Sequence, residues 1–238
     1  MNRVFISDLH LETEHDAKYR AFQRVLWHVA STNQELYILG DLVEVWVGDD
    51  DDSSFATTLV DDLSECAAST DVFVMHGNRD FLYRDDFESR TGATLLPDPF
   101  LLNNEPDTEP VLLAHGDAYC TSDEAYMKVR ELFRSETWQD QILGTTLLER
   151  RELAQALRAQ SQQANQLKPA NITDVVEVDV VDAMRRQGCR TMIHGHTHRP
   201  AIHHMINNTR RFVLGDWNEC GWLLRQQDAS FTLERFAI

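Results

Sequence analysis

Short apolar runs of the kind that form buried β-strands recur along the chain, and each stops abruptly at glycine or at a polar residue. Six such runs span 3–7, 36–39, 72–76, 111–114, 191–193 and 212–214. Between them, patterns of helical period cover 19–30, 55–68 and 174–187, and Gly188 is placed to end the last helix. Alternating strands and helices predict an α/β fold whose functional groups collect at the carboxyl ends of the strands.

The segment 124–168 breaks this alternation. It is long, helical in composition and rich in Leu, Gln, Arg and Glu. We therefore expect a single domain over 1–238, with 124–168 inserted as a helical cap. This segment carries seven basic and six acidic side chains, so the acidic excess of the chain lies outside it.

The 238 residues include 22 Lys and Arg against 39 Asp and Glu, which gives a net charge of −17. That balance argues against nucleic acid as a partner, because binding to it depends on basic side chains that neutralise phosphates. An anionic substrate would also be repelled unless a bound divalent cation reversed the local sign of the charge.

The composition also bears on the compartment. No apolar run is long enough to cross a bilayer, and the first is too short for the core of a signal peptide. The four cysteines, at positions 66, 120, 189 and 220, form no C-x-x-C pair. Widely spaced thiols of this kind are typical of reduced cysteines in a cytoplasm, where we expect the protein to work.

Residues that bind metal ions follow several of the strands. Asp8 and His10 are two positions apart, a spacing that points both side chains the same way on an extended chain, and His196 and His198 repeat it. The candidate ligands are Asp8, His10, Asp41, Asn78, His115, His196 and His198. Mixed nitrogen and oxygen donors suit Mn, Fe, Co or Zn, and seven ligands suffice for two ions that share a carboxylate. The spacing predicts a binuclear hydrolase.

Five motifs occur in a fixed order, each at a strand end. They are Asp8-x-His10, Gly40-Asp41, Gly77-Asn78, His115-Gly116 and Gly195-His196-Thr197-His198. In this order they resemble the motifs of the calcineurin-like metallophosphoesterases, which implies a four-layer αββα sandwich. By motif position, one ion would take Asp8, His10, Asp41 and His198, and the other would take Asp41, Asn78, His115 and His196. The resemblance thus implies a bridging, catalytic role for Asp41.

Two positions depart from the usual pattern of that superfamily. Glu44 stands where the second motif often has Asp, and Arg79 stands where the third often has His. A histidine would protonate a poor leaving group, whereas an arginine stabilises charge on phosphoryl oxygens without giving up a proton. We infer a catalytic role for Arg79 and a leaving group that needs no protonation, as when one phosphate leaves another. The substrate is then a diphosphate.

Longer stretches give a narrower resemblance over nearly the whole chain. They are Asp8-Leu9-His10-Leu11, Tyr37-Ile38-Leu39-Gly40-Asp41-Leu42, Trp46-x-Gly48-Asp49-Asp50, His76-Gly77-Asn78-Arg79-Asp80-Phe81-Leu82 and Ile193-His194-Gly195-His196-Thr197-His198-Arg199-Pro200. These are similar to the UDP-2,3-diacylglucosamine diphosphatases of lipid A biosynthesis. The resemblance implies hydrolysis to UMP and 2,3-diacylglucosamine 1-phosphate, with hydroxide attack on the α-phosphorus at a centre of two Mn²⁺ per chain. It also implies a peripheral protein on the cytoplasmic face of the inner membrane, which we expect to be a monomer.

The same resemblance assigns the substrate contacts to Asn78, Arg79, Asp123, Ser161, Asn165, Lys168 and His196. Asp123 is also suited to cap the helix that follows it. In the cap, Val129, Leu132 and Phe133 form a candidate apolar face for acyl chains. Outside these contacts, we expect 49–52 to be a solvated acidic run, and the sequence leaves Trp46 open between core packing and ligand contact.

Two other functions stay open at the level of the sequence. The same site would serve another metal-dependent nucleotide pyrophosphatase or phosphodiesterase, although the inserted segment and the match at 161–168 weigh against it. A scaffold that binds partners without catalysis would be expected to have lost ligands, and none of the seven is missing.

Overall fold

Two β-sheets and seven α-helices are present in the computed structural model, which describes residues 2–103, 109–166 and 172–238. The strands are β1 (Asn2–Ile6), β2 (Glu35–Ile38), β3 (Val72–Met75), β4 (Thr94–Leu96), β5 (Phe100–Leu102), β6 (Val111–Ala114), β7 (Thr191–His194), β8 (Ala201–His204), β9 (Arg210–Val213), β10 (Gly221–Gln227) and β11 (Ser230–Phe236). The helices are α1 (Ala17–Thr32), α2 (Ser54–Ala67), α3 (Asp85–Thr91), α4 (Glu124–Phe133), α5 (Glu136–Leu143), α6 (Leu147–Gln166) and α7 (Glu177–Gln187).

The first sheet has six strands in the order β11-β10-β1-β2-β3-β4, and the second has five in the order β5-β6-β7-β9-β8. Strands β1 to β4 run parallel, as do β6, β7 and β9, while β10, β11, β5 and β8 pair antiparallel. The parallel strands are adjacent to one another within each sheet, so their carboxyl ends gather the loops that carry the motifs.

The core clusters place the two sheets face to face between two layers of helices. Along β1, Val4 and Ile6 pack with the helices α1, α2 and α3, whereas Phe5 points to the other side and packs with the second sheet. Met192 of β7 packs on the opposite outer surface with Val180 of α7. Strands buried on both faces explain why their sequences read as continuous apolar runs. The predicted αββα sandwich is confirmed.

The six predicted strands and three predicted helices are all present, with ends that differ by up to three residues. Helix α7 begins at Glu177 rather than at 174, and Gly188 ends it in the left-handed conformation, as predicted. The sequence patterns missed α3 and the strands β4, β5, β8, β10 and β11.

Three helices, α4, α5 and α6, lie between β6 and α7, and we refer to them as the cap. Asp123 accepts the backbone N–H of Tyr126 at 3.1 Å at the start of α4. Ser135 does the same for Trp138 at the start of α5, at 3.4 Å. Side-chain oxygens at these positions satisfy N–H groups that the first helical turn leaves unpaired. The turns between the cap helices are therefore encoded locally.

Within the described ranges, none of the helices combines the length and the apolar character needed to cross a bilayer. Cys66, Cys120 and Cys189 are buried, Cys220 is half-buried, and all four thiols are free.

Candidate metal centre

The seven candidate ligands lie in loops at the carboxyl ends of central strands from both sheets. Asp8, Asp41 and Asn78 follow β1, β2 and β3 of the first sheet. His115 follows β6, and His196 and His198 follow β7, of the second sheet. The site is thus formed where the two sheets meet at one edge of the sandwich.

Five of the seven candidates have a left-handed backbone, which is uncommon for residues other than glycine. The φ angles are 57° at Asp8, 49° at His10, 53° at Asp41, 66° at His196 and 55° at His198. Each of these conformations costs free energy and persists only where the surrounding structure enforces it. Backbone strain therefore coincides with the residues that the motifs single out.

One group of side chains forms around His10 and His198. Their Nε2 atoms lie 3.3 Å apart. His198 Nε2 lies 3.5 Å from Oδ1 of Asp8, and His10 Nε2 lies 3.8 Å from Oδ2 of Asp41. Two nitrogens and two carboxylates thus face one point.

A second group forms around the side-chain oxygen of Asn78. This Oδ1 lies 3.0 Å from Nε2 of His115 and 2.8 Å from Nδ1 of His196. His115 Nε2 also lies 3.7 Å from Oδ1 of Asp41. Asp41 thus turns one carboxylate oxygen to each group.

These distances and donor types fit two divalent cations. The ligand atoms of Asp8, His10 and His198 all lie within 4.8 Å of one another, and so do those of Asp8, Asp41 and His115. Imidazole nitrogen with carboxylate and amide oxygen is a donor set for Mn, Fe, Co or Zn. The structure brings all seven sequence-predicted ligands into these two adjoining groups.

The ligand imidazoles are oriented by partners outside the two groups. Nδ1 of His115 donates to the carbonyl of Leu39 at 2.9 Å, which leaves Nε2 to face Asn78 and Asp41. Nδ1 of His10 lies 3.0 Å from Oε2 of Glu44, which leaves its Nε2 to face His198. A hydrogen-bonded partner such as the Leu39 carbonyl fixes the ring orientation and tautomer of a metal-binding histidine.

The electrostatics of the site favour a positive charge at its centre. Burial alone would lower the pKa of His115, but the carboxylates of Asp41 and Asp117 raise it to about 9. Burial and the neighbouring charge of His115 lower the pKa of His196 to about 4. Burial opposes ionisation of Asp8, yet its contact with His198 brings the pKa well below the usual value. The ionised carboxylates therefore favour positive charge at the centre of the site. A bound metal ion provides that charge in place of a proton.

Asp80 is a functional residue that sequence reasoning missed. Its buried carboxylate accepts the backbone N–H of Gly77 at 2.7 Å and that of Leu42 at 2.7 Å, so it joins two ligand-bearing loops. A Cβ on Gly77 would lie only 2.1 Å from Oδ1 of Asp41, which explains the glycine in the third motif. Asp80 lies two positions after Asn78, within the stretch 76–82 that carries the narrower resemblance, and that placement is the signal that could have found it.

The predicted substrate contacts fall into three groups. Asn78 and His196 are in the second ligand group, and Arg79 adjoins it, because its backbone N–H donates to Oδ1 of Asp41 at 2.9 Å. Asp123 is buried and caps α4, which is the alternative that its sequence context offered. Ser161 is half-buried on α6. Asn165 lies on α6 with its side chain outside the described part, and Lys168 lies outside the described residues altogether.

The expectation that 49–52 is a solvated acidic run holds only in part, because Asp50 and Asp52 are exposed whereas Asp49 and Asp51 are half-buried. Asp49 accepts the backbone N–H of Phe87 at 2.8 Å and the indole N–H of Trp46 at 2.9 Å. Asp50, Asp51 and Asp52 form ion pairs with arginines of α6. Asp50, Asp51 and Asp52 thus form a docking surface for α6, whereas Asp49 binds its own loop and the start of α3. Trp46 is buried in the core.

The three residues of the candidate apolar face of the cap lie in different environments. Val129 and Leu132 are exposed, 44% and 50% respectively. Phe133 instead stacks on Phe81 with ring centroids 5.5 Å apart and on Trp138 at 4.6 Å. It fastens α4 to the loop after β3 and to α5.

A four-layer αββα sandwich with paired histidine, carboxylate and amide groups at its strand ends defines a metal-dependent phosphoesterase. The chain belongs to the calcineurin-like phosphoesterase family, whose model, Metallophos, matches residues 1–200. It is accordingly a metal-dependent hydrolase.

Relatives with known names match almost the whole chain. The UDP-2,3-diacylglucosamine hydrolase of Pseudomonas fluorescens (strain SBW25) is 43% identical over 237 residues, which are 98% of this chain and 94% of the relative. The protein of the same name from Cellvibrio japonicus (strain Ueda107) is 44% identical over 236 residues, 98% of this chain and 96% of the relative. Among solved structures, a dimetal phosphatase from Danio rerio has a TM-score of 0.55 at 14% identity, covers 99% of this chain and 96% of that one, and shares the fold.

Proposed function

We propose that the chain hydrolyses UDP-2,3-diacylglucosamine to UMP and 2,3-diacylglucosamine 1-phosphate, a step of lipid A biosynthesis. The assignment of this substrate is supported by the names of relatives that match the chain over nearly its full length. The observation that carries the chemistry is the position of Asp41, whose two carboxylate oxygens face His10 and His115 on opposite sides. A shared carboxylate between two nitrogen-rich groups is suited to a pair of ions that handle a phosphoryl group.

Two Mn²⁺ per chain are the proposed cofactors. Asp8, His10, Asp41 and His198 would hold one ion, and Asp41, Asn78, His115 and His196 the other. When bound, such ions lower the pKa of water and stabilise negative charge on phosphoryl oxygens. All seven proposed ligands come from one chain, which supports a monomer as the working form.

Arg79 is proposed to bind the phosphoryl oxygens. Its backbone is fixed by hydrogen bonds to Asp41 and from Trp46, and its side-chain Nε is buried without a hydrogen-bond partner among the described residues. A fixed guanidinium donor stabilises the charge that develops on a phosphoryl group in the transition state.

The reaction needs no acid for the leaving group. Water oxygen bonds to the α-phosphorus, the bridging oxygen departs with the lipid phosphate, and the proton of the water is released to solvent. A phosphate monoester is a stable anion at neutral pH, so a residue that cannot give up a proton is sufficient at position 79.

The cap is proposed as an inserted unit that holds the acylated sugar, with Asp123, Ser161, Asn165 and Lys168 in contact with the substrate. Val129, Leu132 and Leu148 expose apolar side chains on α4 and α6. Exposed apolar side chains on helices favour contact with the acyl region of a bilayer. We therefore propose peripheral association with the cytoplasmic face of the inner membrane.

The test measures UMP release from UDP-2,3-diacylglucosamine by the protein freed of metal and then supplied with Mn²⁺. We expect turnover only with Mn²⁺, and loss of turnover in Asp41→Ala. The matched substrate is a UDP-sugar without acyl chains, which we expect to be cleaved far more slowly. Equal rates on both would instead favour a general nucleotide pyrophosphatase. Hydrolysis in ¹⁸O water should label UMP, and label in the lipid phosphate would refute attack on the α-phosphorus.

A further inference from the structure

Glu44 lies between a helix of the cap and a proposed metal ligand. One carboxylate oxygen, Oε1, is in ion-pair contact with Nε of Arg158 on α6. The other oxygen, Oε2, lies 3.0 Å from Nδ1 of His10. Neither contact is an aligned hydrogen bond. Glu44 and Arg158 form an ion pair, and Glu44 meets His10 by close approach. This chain of contacts runs from the cap to the metal centre.

The side chain of Glu44 is only 10% exposed. A buried carboxylate needs partners, because its loss of hydration is otherwise uncompensated. Glu44 also stands where the superfamily often has the shorter Asp. The additional methylene extends the carboxylate, and here one oxygen contacts His10 while the other contacts Arg158.

The backbone of His10 is fixed independently of its ring. Lys18 donates from Nζ to the carbonyl of His10 at 2.8 Å, and the φ angle of His10 is 49°. With the backbone held, the orientation of the imidazole depends on what faces each nitrogen. Nε2 faces His198, and Nδ1 faces Glu44. The position of the Glu44 carboxylate thus bears directly on where Nε2 points.

Arg158 makes its contact from the middle of α6, beyond the anchors at the start of this helix. Near the start of this helix, Arg150 donates to the carbonyl of Val47 at 2.7 Å, and Arg151 lies 2.6 Å from Asp51. Arg158 follows about two helical turns later, so its contact with Glu44 requires the middle of α6 to lie against the loop after β2.

We propose that Glu44 and Arg158 couple the cap to the metal centre: Arg158 holds the carboxylate of Glu44, which in turn holds the ring of His10 for metal binding. Both are positioning residues. The inference rests on the proposed function only in that His10 binds a metal ion. Because coupling is reciprocal, metal binding then stabilises the contact of α6 with the loop after β2.

The first experiment titrates metal-free protein with Mn²⁺, in the absence of substrate, and measures the affinity of each equivalent. Partners that orient a metal-binding histidine contribute about tenfold or more to metal affinity. We expect Glu44→Gln and Arg158→Ala each to weaken one equivalent by about that factor, with partial recovery in Arg158→Lys. The double variant should be no weaker than Glu44→Gln alone, because Arg158 acts through Glu44. Arg151→Ala, which loses cap ion pairs elsewhere on α6, should bind Mn²⁺ as the unchanged chain does.

Several outcomes would overturn the inference. One is wild-type Mn²⁺ affinity in Arg158→Ala together with a raised KM, which would make Arg158 a substrate contact. Another is a double variant in which the two losses multiply, which would make the residues independent. An equal loss in Arg151→Ala would reduce the effect to general loosening of the cap.

A second readout follows amide hydrogen exchange in α6 and needs no turnover. Mn²⁺ should slow exchange at 155–161 in the unchanged chain and leave it unaltered in Glu44→Gln; slowing in both would contradict the coupling.

The coupling and the proposed function fail on different results. If the chain binds two Mn²⁺ with this dependence but cleaves no UDP-2,3-diacylglucosamine, only the proposed function is wrong. If it cleaves that substrate while Arg158→Ala keeps full Mn²⁺ affinity, only the coupling is wrong.

Discussion

The carboxylate of Asp80 accepts the backbone N–H of Leu42 at 2.7 Å and so joins the loop after β3 to the loop after β2. It also accepts the N–H groups of Gly77 and Asp41, at 2.7 and 3.2 Å. Burial and the charge of Asp41 raise the pKa of Asp80 to about 6. The two ligands Asp41 and Asn78 are thus held in register by a residue outside the ligand set.

From this arrangement we expect Asp80→Asn to lower the free energy of unfolding by about 2 kcal/mol, because one oxygen becomes an N–H that faces backbone N–H groups. Mn²⁺ affinity should fall with it. Urea unfolding of the metal-free protein measures the first effect and a Mn²⁺ titration the second. Asp61→Asn, an exposed site on α2, serves as the control. Equal stability of the two variants would remove this role from Asp80.

Arg79→Ala should separate catalysis from metal binding. The guanidinium is proposed to act on substrate charge, so kcat should fall about 10²- to 10³-fold, as for loss of a fixed donor at a developing charge. Mn²⁺ affinity should change less than twofold, since Arg79 is not a proposed ligand. Arg79→Lys should retain part of the activity because it keeps the charge but not the planar fork. A Mn²⁺ affinity that falls in parallel with kcat would contradict this division.

The sequence predicted the ligand set because each ligand lies in the loop after a buried strand, and parallel strands bring their carboxyl ends together. It could not predict what fixes the ligands. The left-handed φ of His10 and the hydrogen bonds to Asp80 depend on contacts between distant loops. The pairing of Arg151 with Asp51 likewise spans a hundred residues, so an acidic run read alone resembles a solvated surface.

The hairpin of β10 and β11 was missed for a related reason. Arg225 lies within β10 and is paired across the hairpin with Glu234 at 3.1 Å. Gln226, beside it, is buried and accepts from Arg3 at 3.4 Å. Polar residues that are satisfied by cross-strand partners break the apolar pattern by which strands are recognised.

Arg150 should be the main anchor of the cap. Its guanidinium is almost fully buried, donates to the carbonyl of Val47 at 2.7 Å and pairs with Asp50 at 2.7 Å. Gly48 leaves the space for it, because a Cβ there would lie 2.2 Å from Nη1 of Arg150. We expect Arg150→Ala and Gly48→Ala both to release α6.

Limited proteolysis of the metal-free protein would detect this release as faster cleavage at 144–151, by at least fivefold if the lost contacts contribute about 1 kcal/mol to seating the helix. Arg185→Ala, an exposed pair on α7, is the matched control and should leave cleavage in the cap unchanged. Cleavage that is equally slow in all variants would show that other contacts hold α6.

The stability of the metal-free protein should fall as the pH is lowered from 7 to 4, in part through His76. Burial lowers the pKa of His76 from 6.5 to about 4, although its Nε2 donates to the carbonyl of Tyr83 at 2.9 Å. Between these values the unfolded chain binds a proton that the folded chain does not, so the contribution of neutral His76 is present above pH 6.5 and is lost as the pH falls. The free energy of unfolding therefore changes by about 1.4 kcal/mol per pH unit between these values.

In His76→Gln, whose amide can still donate to Tyr83, this contribution to the pH dependence should disappear. The difference in free energy of unfolding between the variant and the unchanged chain should then shift in favour of the variant at low pH. Urea unfolding at pH 7, 6 and 5 with a chelator present measures it, with His15→Gln, 83% exposed, as the control. A difference that stays constant across this pH range would show that His76 does not titrate in this way.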